Sequence, residues 1–132
     1  MTRTMSLATS AAMPFDEVMG VFDQPAVDAL LEAAVATAFR GSEVAIDVHA
    51  SDLERFAHRS ARLSLEWHLT DKSRVDRRGV ASLQLFVLQS GSEPITELVL
   101  TLAVEDEHAH AVAGLLHDFL DELSDRLLLA TA

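Results

Sequence analysis

The stretch from Ile95 to Leu129 constrains the chain most. It is an alternating strand that turns, with almost no linker, into the longest amphipathic helix in the sequence. Leu98, Leu100, Leu102 and Val104 fall on one side of the strand, and Glu97, Val99, Thr101 and Ala103 on the other. A period of two marks a strand with one face on a core. Glu105-Asp106-Glu107 follows, with Asp106 as candidate N-cap and its carboxylates suited to the positive end of a helix. Val112, Leu116, Phe119, Leu120, Leu123 and Leu127 then recur at helical spacing and fill one stripe. His110, Gly114, His117, Asp121 and Ser124 are assigned to the opposite side. Strand and helix each carry one apolar face, and laying the helix across the sheet buries both.

The preceding chain supplies the rest of that sheet. Phe15 to Met19 reads as a helical turn before Gly20. A helix follows with Asp23 as candidate cap, Pro25 in its first turn, and a stripe of Val27, Leu30, Leu31, Ala34, Val35 and Ala38. Gly41 is placed to stop it. Val44, Ile46 and Val48 alternate with Ala45, Asp47 and His49 as a short strand. Ser51 and Glu54 match a capping box, so Asp52 to His58 is a short helix or a loop. Ala61, Leu63, Leu65, Trp67 and Leu69 alternate cleanly with Arg62, Ser64, Glu66, His68 and Thr70, the least ambiguous strand of all. Asp71 to Gly79 reads as a charged loop, and a strand runs from Val80 to Gln89. Both faces of that strand are apolar, which makes it central or gives it an interface on its second face. Ser90 to Pro94 is turn chemistry leading into Ile95. The expected fold is therefore α+β. An antiparallel sheet of about four strands carries an N-terminal helix and the long C-terminal amphipathic helix packed on it. Residues 1–14 are expected to form a disordered leader and residues 15–132 a single domain.

Composition removes whole classes of function. There is no cysteine, which excludes thiol catalysis, disulfides and cysteine-held metal. Absence of cysteine and of a signal peptide fits a cytoplasmic protein. No apolar run approaches the ~20 residues of a membrane span. The formal net charge of −11 argues against nucleic acid and anionic membrane as partners. Charge is unevenly spread: seven of the ten basic residues lie between Arg55 and Arg78, whereas Glu93 to Asp125 holds nine acids and no Lys or Arg.

Candidate sites are few. His110, His117 and Asp121 share a side of the last helix, and His108 and His110 resemble a chelating pair, but no third ligand joins them. No metal or cofactor is expected. His49, Glu66, His68 and Arg62, with Asp47 beside them, share the polar side of the sheet. Roofed by a helix, they would form a carboxylate–imidazole site capable of acid–base work. Left uncovered, they are its wet face. Phe86, Leu88 and Leu128 are surplus apolar positions, explained by an interface or by cover from the N-terminal segment. No phosphate loop, nucleophile elbow or zinc-protease motif is present, so an enzyme is disfavoured.

In outline, a small acidic chain with a helix, an antiparallel sheet and a long final helix is similar to type III secretion chaperones and their sensory-regulator relatives. The resemblance implies a chaperone-like or regulatory role. The expected function is a non-catalytic protein-interaction module, a homodimer whose acidic flanks steer toward a basic protein partner. The alternative is a small-molecule-binding protein or enzyme with a pocket between sheet and C-terminal helix.

Overall fold

Four period-two segments become strands, and a fifth strand arises where none was expected. The computed structural model describes residues 2–56, 59–70, 76–90 and 93–130, the side chains of residues 89, 90, 106–108 and 111 excepted. In order, the elements are β1 (Thr2–Ala11), α1 (Phe15–Phe22), α2 (Val27–Ala38), β2 (Ala45–Phe56), β3 (Ser60–Thr70), β4 (Asp76–Ser90), β5 (Glu93–Glu105) and α3 (Asp106–Ala130). The five strands form one sheet in the order β1-β5-β4-β3-β2, with every neighbouring pair antiparallel. The last four strands are a meander, since their connections are too short for crossovers. β4 is the middle strand, as its two apolar faces implied.

The expected leader is the main correction. Thr2–Ala11 is a strand that pairs with β5 over its whole length, from Thr2↔Glu105 to Ala11↔Thr96. Its inward row is Met5, Leu7 and Ala11, diluted by Ser, Thr and Ala, which hid the alternation. Ala11 and Met13 are buried, and the buried Thr96 hydroxyl donates to the Met13 carbonyl at 2.9 Å. The capping-box reading also fails: Ser51 to Phe56 continues β2 rather than starting a helix. Leu53↔Leu63 and Glu54↔Arg62 are cross-strand pairs, so pairing with β3 overrides the local capping signal. A register shift between Ala50 and Asp52 leaves Ser51 as a bulge. Ala57 and His58 lie outside the described residues. Of the expected charged loop, Asp76 to Gly79 belongs to β4, and residues 71–75 lie outside the described residues.

The helices differ from expectation at their ends. α1 continues through Gly20 to Phe22, and Asp23 closes it, its N–H donating to the Met19 carbonyl at 3.0 Å. Asp23 therefore does not cap α2, which starts after Ala26 with no side-chain cap. Gly41 follows α2 at φ 76°, a conformation glycine adopts without strain, and the helix ends as its position predicts.

One face of the sheet holds the core. Leu63, Leu65, Leu69, Leu83, Leu85, Leu98, Leu100 and Leu102 are at most 4% exposed. α3 closes against them with Val112, Leu116, Phe119, Leu120, Leu123 and Leu127, each at most 3% exposed. α2 packs between α3 and β2, and α1 fills the end of the same layer. Ser124, expected on the polar side, is buried, and its hydroxyl donates to the Ser10 carbonyl at 3.0 Å. Position 124 lies four residues after Leu120 and three before Leu127, so it belongs to the apolar stripe. Among the described residues, no helix is long and apolar enough to cross a membrane.

Candidate functional site

Every helix packs on the inner face, so among the described residues nothing covers the sheet's outer face. Antiparallel pairing sets Asp47 opposite His68 and His49 opposite Glu66, while β4 sets Arg78 opposite His68 and Val80 opposite Glu66. Side chains directly opposite lie roughly 4.5–5.5 Å apart at Cβ, so three strands bring these groups into one cluster. Asp47, His49, Glu66, Trp67, His68, Arg78, Gly79 and Val80 line a groove of about 550 Å³. A second groove of about 270 Å³ continues past the edge of β2, sharing Asp47 and His49 and adding Asp28 and Glu32 from α2.

The polar groups divide into held and unheld. His68 Nε2 donates to Asp76 Oδ1, which fixes its ring and leaves Nδ1 open. Asp28 Oδ1 accepts from the Ala50 N–H at 2.8 Å. Asp47, His49, Glu66 and Arg78 form no hydrogen bond or ion pair among the described residues. Among the described residues, the carboxylates of Asp47 and Glu66 line the larger groove with one guanidinium, Arg78, and a third carboxylate, Asp76, is held by His68. The smaller groove adds two more carboxylates. Behind the groove, on the inner face of the sheet, the Trp67 indole lies over Gly79 and its Nε1–H donates to the Val80 carbonyl at 3.3 Å, which stiffens the backbone there.

Of the expected site residues, His49, Glu66 and His68 converge, and Asp47 joins them. Arg62 does not. It shares their face of β3 but stands four residues from Glu66, about 13 Å along the strand. There it pairs with Glu54 at 3.4 Å and lies over the Phe56 ring, 5.3 Å from its centroid. Arg78, Gly79 and Val80 were missed because their segment reads as loop and strand start. The roof is absent among the described residues: the four side chains are on the wet face, away from α3. The space between sheet and α3 amounts to about 10 Å³, lined by Ile46, Val48, Leu65, Trp67, Ala81, Leu100, Leu102, Leu116 and Phe119. That is about the room of one water probe, so the pocket anticipated there is closed.

On α3, His117 Nδ1 lies 3.4 Å from Asp121 Oδ2, and His110 is exposed. The His108 side chain lies outside the described residues. Phe86, Leu88 and Leu128 are 37%, 37% and 40% exposed, so the N-terminal segment does not cover them. Phe86 and Leu88 sit on the outer face of β4, Leu128 on the last turn of α3.

A five-stranded antiparallel sheet holding a long C-terminal helix, with two short helices between its first and second strands, is the helix-grip arrangement. Two solved structures share the fold over nearly the whole chain. One is an uncharacterised protein from Rhizobium leguminosarum, with TM-score 0.51, 11% identity, and 96% of each chain covered. The other is a conserved protein from Geobacillus kaustophilus, with TM-score 0.52, 12% identity, and 97% of each chain covered. Norcoclaurine synthase from Thalictrum flavum is a looser likeness, at TM-score 0.43 and 13% identity, covering 97% of this chain and 87% of that one. At these identities the likeness concerns the fold alone. No protein-family model matches the sequence, and no curated protein matches it.

Proposed function

We propose that the protein is a non-catalytic binding module that takes a cationic group, an amine or guanidinium, in the outer groove of its sheet. One observation carries the reading: the carboxylates of Asp47 and Glu66, unpaired among the described residues, converge beside two histidines and the exposed Val80 side chain. Val80 offers an exposed apolar side chain to pack on, and the carboxylates offer charge-assisted acceptors for N–H donors. The rest of the protein reinforces this, since a net charge of −11 draws cations in and repels anions. A closed interior of about 10 Å³ leaves the outer face as the place for a ligand.

The test is a titration with spermidine and with a short Lys/Arg-containing peptide, read by fluorescence of the single tryptophan, Trp67. The expected result is saturable binding that weakens with salt and falls at least tenfold in the Asp47→Asn/Glu66→Gln double variant. An unchanged affinity in that variant, or equal binding of an anionic control peptide, would overturn the proposal.

A further inference from the structure

The two edges of the sheet are built differently. On the β2 edge, the Ser51 bulge breaks the register, Asp28 takes the Ala50 N–H, and Asp47, His49, Asp52, Glu54 and Arg55 supply charge. These are the ordinary devices that stop a sheet edge from pairing with another strand. The β1 edge has none of them along most of its length. Its ladder with β5 runs ten residues without a register shift. Its sequence contains no proline and, in a chain of 21 acids, no acid; its one charge is Arg3. Its far end is closed: Ser124 donates to the Ser10 carbonyl, and the Thr9 hydroxyl donates to Asp121 Oδ1 at 2.8 Å. On the side facing α3, Met5 and Leu7 are half-buried, whereas their β5 partners Leu102 and Leu100 are buried. The apolar row thus runs out to the edge strand, where it is only half covered.

We infer that this edge pairs antiparallel with the same edge of a second copy, about a twofold axis at Ser6, joining two sheets into one of ten strands. Antiparallel pairing of identical strands is an isologous contact and closes at two copies. The register follows from the apolar row. With Ser6 on the axis, Met5 lies opposite the partner's Leu7, and each copy completes the other's half-covered row. Arg3 lies opposite the partner's Thr9, which carries Asp121 beside it, so a cation of one copy meets an acid of the other. Pairing between the copies is confined to Thr4–Ala8, so the occupied Ser10 carbonyl, opposite the partner's Thr2, lies beyond it. The occupant is a second copy rather than a foreign strand because this edge strand carries no acid in a strongly acidic chain. Two such edges meet without like-charge repulsion, and they match in length and in apolar row. Net charge elsewhere opposes the approach, so added salt strengthens the dimer.

The chain has no cysteine, so an introduced one reports alone. Residues opposite each other in an antiparallel pair have Cα atoms roughly 4.5–5.5 Å apart, within disulfide reach. Ser6→Cys is expected to form a covalent dimer rapidly under mild oxidation, whereas Ser51→Cys on the other edge and Ser82→Cys on the middle strand stay single. Light scattering of the unmodified protein is expected to give twice the chain mass of 14.4 kDa, and Ser6→Lys, which sets two ammonium groups face to face, to return it to one. A mass of one chain at every concentration and salt level overturns the inference, as does cross-linking of Ser51→Cys at the rate of Ser6→Cys. Neither readout depends on what the outer groove binds.

Discussion

Replacing Gly79 with alanine sets a methyl group against the only tryptophan. A Cβ at that position would lie 2.5 Å from Trp67 Cζ2, 2.8 Å from Cε2 and 3.1 Å from Nε1. Carbon atoms in contact sit about 3.5–4.0 Å apart, so the ring must retreat by roughly 1 Å. It has little room to do so. Trp67 is 8% exposed, its Nε1–H is held by the Val80 carbonyl, and Ile46, Val48, Leu65, Leu116 and Phe119 line the same small interior space. Overpacking costs about 1–3 kcal/mol, and loss of the hydrogen bond about 0.5–1.5 kcal/mol more. Against this, alanine restricts the unfolded chain and returns about 0.4–1 kcal/mol, because the positive-φ glycine is Gly41 and not Gly79. The net expectation is a loss of about 2 kcal/mol and a fall in Tm on the order of 5–10 °C. Urea unfolding followed by tryptophan fluorescence measures it, with an unchanged slope showing that stability alone has moved. Trp67→Phe should relieve the clash, so the Trp67→Phe/Gly79→Ala double variant, followed by circular dichroism, should lose less than the sum of the single changes. Alanine at 79 with full stability and an unshifted emission maximum would refute the reasoning.

Two further changes probe the interior and the held end of the sheet edge. Phe119→Ala should cost about 3–5 kcal/mol in chemical unfolding. It should also enlarge the 10 Å³ space into an apolar cavity, so that benzene raises the variant's Tm and not the parent's. Ser124→Ala removes the donor to the Ser10 carbonyl and should cost about 1 kcal/mol, whereas Ser82→Ala, at a half-buried position with no side-chain hydrogen bond among the described residues, should be nearly neutral by the same measurement.

Much of this arrangement is legible in the residues where one periodicity dominates. Ala61 to Thr70 alternates without interruption, and its partners follow because the turns around it are short. The α3 stripe is equally plain, and strand-to-helix continuity at Glu105 forces the two apolar faces together. β1 was illegible because Thr, Ser and Ala occupy most of its inward and outward positions. Its strand character comes from β5, ninety residues on, rather than from its own pattern. Ser51 to Phe56 carries two local signals at once, a capping box and an alternation, and the partner strand decides between them. The groove was half legible. His49, Glu66 and His68 share a face by counting, and Asp47 follows from antiparallel order. Arg62 passes the same count but lies too far along the strand. The closed interior was not legible, since it depends on how Phe119 and Trp67 fill space across the two layers.

The first strand finds its mate in the last one, across Thr2↔Glu105 and Ala11↔Thr96. A ribosome emitting this chain therefore releases the opening segment long before anything exists for it to join. The meander can assemble hairpin by hairpin, but the final seam waits for Glu105 to emerge. Loop closure on that scale is slow, and a strand idling in the meantime is open to rival pairings. Folding speed should hence be set by this late zipping step, and substitutions that quicken it need touch neither the groove nor the helix.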